Sequence, residues 1–229
     1  MAPTTRLAPT DLVRRGRLSN DESQQVFRTL LDTLARPGRI VALPSSVTDR
    51  MPPALVPAAA LADVEISLAV LAEPADEHWA DVLISSTGAR SVPVVLAQMV
   101  VGLRAPSPAE LVAMERGDAI APERGARVSI ACRSLTYGPA PGPVSGAVSL
   151  TLQGPGVEST RHLIVHGLDA DVLRALAEAN RTFPAGIDAW LVADDGRVIG
   201  LPRTTSLTVE TVGGSNPQNH SDPDQRGAS

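Results

Sequence analysis

Arg203, Thr204 and Thr205 stand together directly after an apolar run, Arg197 to Leu201, that closes at Pro202. A guanidinium offers a planar fork of donors and two threonine hydroxyls add more, so the cluster could grip a phosphate. The simpler reading is a structural arginine bridged to a carboxylate at a sheet edge or a subunit contact. Asp188 heads the preceding apolar run. It could bind a ligand, orient Arg203, cap the turn before it or pair with Arg181. Asp188, Arg203, Thr204 and Thr205 are thus the candidate ligand- or interface-binding set. No catalytic residue can be named beside them. No serine lies in a G-x-S-x-G elbow, and no glycine run fits the dinucleotide fingerprint.

The remaining reactive types exclude more than they propose. All 20 basic residues are arginine. Without lysine the chain cannot form an internal Schiff base, which removes pyridoxal-phosphate and class I aldolase chemistry, and it cannot carry a Walker A loop. A single cysteine, Cys132, allows no internal disulfide and no iron–sulfur cluster held by this chain alone. It falls in an expected strand, Arg127 to Leu135, where a small buried hydrophobe is the simplest reading. His162 and His166 are four apart, but Leu163-Ile164-Val165 between them reads as strand. Along a strand that spacing separates them by ~13 Å. Neither a metal site nor a cofactor is expected. His78-Trp79 has no catalytic companion and reads as a core or interface pair.

The candidate set needs a frame, and the sequence outlines one. Asp169 starts a helix through Arg181, Phe183-Pro184-Ala185-Gly186 stops it, and a strand runs Ile187 to Ala193. Asp194-Asp195-Gly196 turns the chain into a second strand, Arg197 to Leu201, and an edge-like strand, Leu207 to Val212, follows. Upstream, Ser19 and Glu22 form a capping box for a helix whose apolar stripe is Val26, Phe27, Leu30, Leu31 and Leu34, ended by Pro37-Gly38. The next strand, Arg39 to Leu43, closes at Pro44 and echoes Arg197 to Pro202. Ala58 to Leu71 reads as a buried helix and Ala75 to Ser85 as another. Val92 to Val100 reads as a doubly buried strand, and Ser107-Pro108-Ala109-Glu110 as a helix start, with the helix ending at Gly117. Gly146 to Leu152 and Arg161 to His166 are strands, the first reached by the long loop Tyr137 to Ser145. Between them Gly154-Pro155-Gly156 is a turn, or a place of close backbone approach. The order predicts an α/β fold, a mixed sheet flanked by helices.

With 229 residues, a flexible N-terminus (1–18), one α/β domain (19–212) and a disordered tail (213–229) are expected. Hydrophobic residues make up 43% but aromatics only 2%, so the core must be aliphatic. A net charge of −5 with so few aromatic rings excludes an electrostatic or stacking platform for nucleic acid. No apolar span reaches membrane length and no leader is visible, so a cytoplasmic protein without membrane contact is expected.

The residues also carry a resemblance. Phe27-Arg28-x-Leu30-Leu31 leading to Pro37-Gly38-Arg39-Ile40, Thr87-Gly88-Ala89, and Gly117-Asp118 to Pro122-Glu123 occur in order. Leu152-x-Gly154-Pro155-Gly156, Phe183-Pro184-x-Gly186-Ile187-Asp188 and Leu201-Pro202-Arg203-Thr204-Thr205 follow. Together they resemble the PhnH family, the H subunit of the bacterial carbon–phosphorus lyase system. The resemblance implies a fold like that of pyridoxal-phosphate-dependent transferases without the cofactor. It also implies a homodimer when the chain is alone and association with the G, I and J subunits. With G and I, such a subunit supports transfer of a phosphonate, such as methylphosphonate, to C1′ of the ribose of ATP. Adenine is released and a ribose 1-phosphonate 5-triphosphate forms, in organic phosphonate catabolism. That chemistry is placed on the I subunit, so no catalytic residue carries over. Ala62 to Ser67 departs from the family's more polar acidic/His run and keeps only the carboxylates of Asp63 and Glu65. A transferase-complex subunit and a non-catalytic homodimeric module binding an anion, ATP or a phosphonate are the two functions left open.

Overall fold

The computed structural model describes residues 9–138 and 146–211. The first eight residues, residues 139–145 of the long loop, and the tail 213–229 expected to be disordered lie outside the described residues.

The chain begins with α1 (Pro9–Gly16), within the stretch expected to be loosely held. A Cβ on Gly16 would come within 2.6 Å of Val82 Cγ1, so this helix end sits against a later one. The capping box forms: Ser19 Oγ accepts from the Glu22 N–H at 3.3 Å, and the Glu22 carboxylate accepts from the Ser19 N–H at 2.9 Å. It starts α2 (Asn20–Ala35), which buries Val26, Leu30 and Thr33. Then come β1 (Val41–Ala42), α3 (Ser45–Thr48), α4 (Val56–Leu61) and β2 (Ser67–Leu71). Next are α5 (His78–Thr87), β3 (Arg90–Ser91), β4 (Met99–Gly102), α6 (Pro108–Ala113), β5 (Arg127–Cys132) and β6 (Ser134–Tyr137). The last are β7 (Ala147–Gln153), β8 (Arg161–His166), α7 (Ala170–Ala179), β9 (Asp188–Ala193), β10 (Arg197–Leu201) and β11 (Ser206–Thr211).

These strands make two sheets. The larger has the order β1-β10-β9-β5-β4-β2-β3. Its β3, β2, β4, β5 and β9 are parallel, while β10 runs antiparallel to both β9 and β1. The two echoed segments are neighbours in it, with Val41 opposite Val198. The smaller sheet is antiparallel, in the order β11-β7-β8-β6. Alternate side chains of the large sheet feed two cores. Ala189, Leu191 and Ala193 of β9 pack with the small sheet, α6 and α7, while Trp190 and Val192 pack with α2, α4 and α5. The result is a layered mixed α/β fold.

Three expectations about elements are corrected. Ala58 to Leu71 is not one helix, because α4 stops at Leu61 and β2 starts at Ser67. Between them Asp63 Oδ1 accepts from the Glu65 N–H at 2.9 Å, a local bond that competes with helix continuation. Val92 to Val100 is not one strand. Pro93 lacks a donor, a 3₁₀ turn takes Val94–Leu96, and only Met99–Gly102 joins the sheet. Arg127 to Leu135 is two strands that part at Arg133, the first in the large sheet and the second in the small one.

Candidate functional site

The candidate residues meet where β9 begins and β10 ends. The hairpin register sets Leu201 opposite Ala189, which brings the residues after Pro202 alongside Asp188. Asp188 takes three bonds from one residue. Its Oδ1 accepts from the Arg203 backbone N–H at 2.9 Å and from Nε at 3.2 Å, and its Oδ2 accepts from Nη2 at 2.7 Å. Arg203 Nη1 donates to the Pro122 carbonyl at 2.6 Å. The pair is largely withdrawn from water, with side-chain exposures of 11% for Arg203 and 21% for Asp188. Arg203 therefore spends its donor fork on its own fold. It joins β9, β10 and the loop before β5. Asp188 orients Arg203 and does not pair with Arg181, whose guanidinium bonds to Glu178.

Glycines let the backbones crowd here. A Cβ on Gly186 would lie 2.8 Å from Arg203 Cβ, and one on Gly125 would lie 2.7 Å from Arg203 Nη1. Asn180, which sequence reasoning passed over, completes the frame. Its Oδ1 accepts from the Ile187 N–H at 2.7 Å and its Nδ2 donates to the Ile187 carbonyl at 3.0 Å. An asparagine after a helix and ahead of a strand was the only signal, and many plain turns share it.

The threonines differ from each other. Thr204 is exposed. Thr205 is only 4% exposed, its N–H donates to the Pro202 carbonyl at 2.8 Å, and its Oγ1 has no hydrogen-bond partner. The Gly154-Pro155-Gly156 turn makes its close approaches within the chain. A Cβ on Gly154 would lie 2.8 Å from the Thr204 carbonyl, and Gly156 lies against the Ala35 carbonyl.

Beside this frame lies a cavity of about 570 Å³ between α7 and β11. Its polar wall includes Arg174, Arg181, Thr204 and Thr205, and its apolar wall includes Ala177, Phe183, Leu207 and Val209. That volume is in the range of small-ligand sites. The groups needed for covalent or acid–base chemistry do not converge there. Cys132 lies buried at the far end of β5, where desolvation pushes its thiol up to about 12. His162 and His166 share β8, with His162 Nδ1 3.1 Å from Thr151 Oγ1. His78 Nδ1 lies against the Ala75 carbonyl at 3.1 Å. Among the described residues no three His, Cys, Asp or Glu side chains gather as metal ligands, and no helix is long and apolar enough to cross a membrane.

Comparison with known proteins gives this frame its place. The family model described as "Bacterial phosphonate metabolism protein (PhnH)" matches residues 18–208. The chain is also similar to the "Putative C-P lyase subunit protein HtxG" of Stutzerimonas stutzeri. The two are 31% identical over 188 residues, covering 82% of this chain and 86% of that protein. The match starts at the capping box and ends inside β11, so it takes in both sheets and the Asp188–Arg203 frame. The chain belongs to the PhnH family of bacterial phosphonate metabolism proteins.

Proposed function

We propose that this chain is a subunit of the C-P lyase system. In this reading it supports, without catalysing alone, the transfer of a phosphonate to C1′ of ATP ribose with release of adenine. The observation that carries the reading is the likeness to a C-P lyase subunit along 82% of the chain. The geometry is in keeping with a supporting role. Arg203, the one cation of the candidate set, has all three guanidinium nitrogens engaged by Asp188 and the Pro122 carbonyl, and no nucleophile with an adjacent base is assembled beside it among the described residues. The expected partners are the G, I and J subunits. A homodimer is expected when the chain is alone, and the chain's place of work is the cytoplasm. A kinship with pyridoxal-phosphate-dependent transferases belongs to the same reading, in a chain that has no lysine to anchor that cofactor.

The test is reconstitution. The G and I subunits from the same genome are assayed for adenine release from ATP plus methylphosphonate, with and without this chain. Release that requires the chain is expected. Release by G and I that is indifferent to it removes the proposal.

A further inference from the structure

The two sheets treat their edges differently. In the large sheet the outer strands β1 and β3 are two residues each, too short to template another strand. In the small sheet the outer strand β11 is six residues long and pairs along its whole length with β7. Its other edge meets no strand among the described residues. It has no proline, no lysine and no bulge, and Glu210 is its one charged residue. Its opposite number, β6, is held: the Ile40 N–H donates to Tyr137 Oη at 2.7 Å.

The cavity lies along this open edge. Leu207 and Val209 are the half-buried residues of β11 that lean toward the core, and both line the cavity. The opposite wall is the last turns of α7 and the residues after it: Arg174, Ala177, Glu178 and Arg181. A fifth strand laid beside β11 would place every second side chain in this space, between α7 and the sheet. The apolar wall asks for apolar side chains, which a bare phosphate or other small anion would leave wet. Of the charged side chains that line the cavity, Arg174, Arg181 and Arg203 are cations and Glu178 is an anion, so the balance favours an acid. Arg174 and Arg181 are held only by exposed i,i+3 pairs to Asp171 and Glu178, contacts worth little, so both keep donors to spare. At the head of the strand, Thr205 lines the cavity, and its Oγ1, itself buried, has no partner. A second copy of this chain fits less well, because two-fold pairing of β11 brings the two arginine rims toward each other.

We infer that β11 is a docking edge, and that its occupant is an extended segment of another subunit. That segment is apolar at alternate positions and acidic where it passes Arg174 and Arg181. The inference rests on the proposed membership of a C-P lyase assembly, and it names the surface that assembly uses.

Hydrogen exchange tests it on the full chain, alone and after co-purification with the G, I and J subunits. Alone, every second amide of β11, those turned to the open edge, exchanges quickly. In the assembly these amides gain protection of at least ~100-fold, while those facing β7 change little. Thr208→Pro and Val209→Pro are made together as a pair. Neighbouring residues of a strand turn their N–H groups to opposite edges, so one variant removes an edge donor and the other a β7 donor. The edge-facing variant keeps its melting temperature and loses assembly. The Arg174→Glu/Arg181→Glu double variant, on exposed side chains, stays folded and binds at least ~10-fold more weakly. An assembly that forms with β11 unprotected and is indifferent to the arginine reversal overturns the inference and leaves the subunit reading standing. Failure to assemble with any of the three subunits removes both. Edge amides already protected in the isolated chain, whether by a second copy or by its own tail, also overturn it.

Discussion

Replacing Arg203 with alanine separates a structural clamp from a ligand-binding group. The substitution removes two side-chain bonds to Asp188 and one to the Pro122 carbonyl, leaving a carboxylate with 21% exposure and no cation. The backbone N–H of residue 203 still donates to Asp188 Oδ1, so the third bond to that carboxylate stays. Removing one partner of a buried ion pair costs ~3–5 kcal/mol. Water reaches this carboxylate in part, so about 3 kcal/mol is expected. For a domain of this size that is a fall of ~6–12 °C in Tm. Urea unfolding of Arg203→Ala, Asp188→Ala and the double variant measures it. The double variant should recover part of the loss, because no charge is left stranded. A cost below ~0.5 kcal/mol in Arg203→Ala, joined to loss of activity in the reconstituted assay, would show that Arg203 serves a ligand, and the clamp argument would be wrong.

Three further outcomes follow from other places in the chain. The Glu110 carboxyl is held down to about 2, chiefly by the Arg104 guanidinium at 2.7 Å, with the Ser107 capping bonds adding to it. Its folded value lies below its unfolded one, so its contribution is present above pH ~4.5 and is lost as pH falls toward 2. The shift sets an upper bound of ~3 kcal/mol, and partial exposure brings it to ~1–2, so Glu110→Gln should flatten the acid limb of stability by that amount. Cys132 should resist Ellman's reagent at pH 8, where a thiol at about 12 is ~10⁻⁴ ionised, and react at the rate of unfolding when urea is added. Rapid labelling of the folded chain would contradict its burial. Gly154→Ala sets a Cβ 2.8 Å from the Thr204 carbonyl at a φ of +131°, so a loss of at least ~2 kcal/mol is expected in urea unfolding. A neutral result would mean that the turn before β11 gives way freely.

What was legible in the sequence was what local chemistry decides. Ser19 and Glu22 announce α2, Ser107 and Glu110 announce α6, and the Asp194-Asp195-Gly196 turn announces the β9–β10 hairpin. The misreadings fall where an apolar run has no period of its own. Ala58 to Leu71 suits a buried helix as well as a helix and a strand, and only the Asp63 turn decides. The division into two sheets was hidden because β5 and β6 are nearly continuous, and Arg133 carries no signal that the chain changes sheets there. In the site, Asp188 and Arg203 were both visible as residues. Their contact depends on hairpin register, while the Pro122 carbonyl that completes it belongs to a loop some eighty residues earlier. The cavity between α7 and β11 joins segments whose sequences are each ordinary.

The pairing of β1 with β10 has a consequence for how the chain is made. Val41 emerges from the ribosome long before Val198, its strand neighbour. Until then the part of α2 near Thr33 lacks the strand it rests on, at Gly200, where a Cβ would come within 2.6 Å. β7 likewise waits for β11. The N-terminal half can pack α2 against α4 early, but the part of α2 that meets Trp190 and Val198 stays uncovered until β9 and β10 arrive, and folding closes only as the last strands do. A nascent chain stalled before Asp188 would leave the part of that face which meets Trp190 and Val198 open to chaperones, and the arrival of the last strands would bury it.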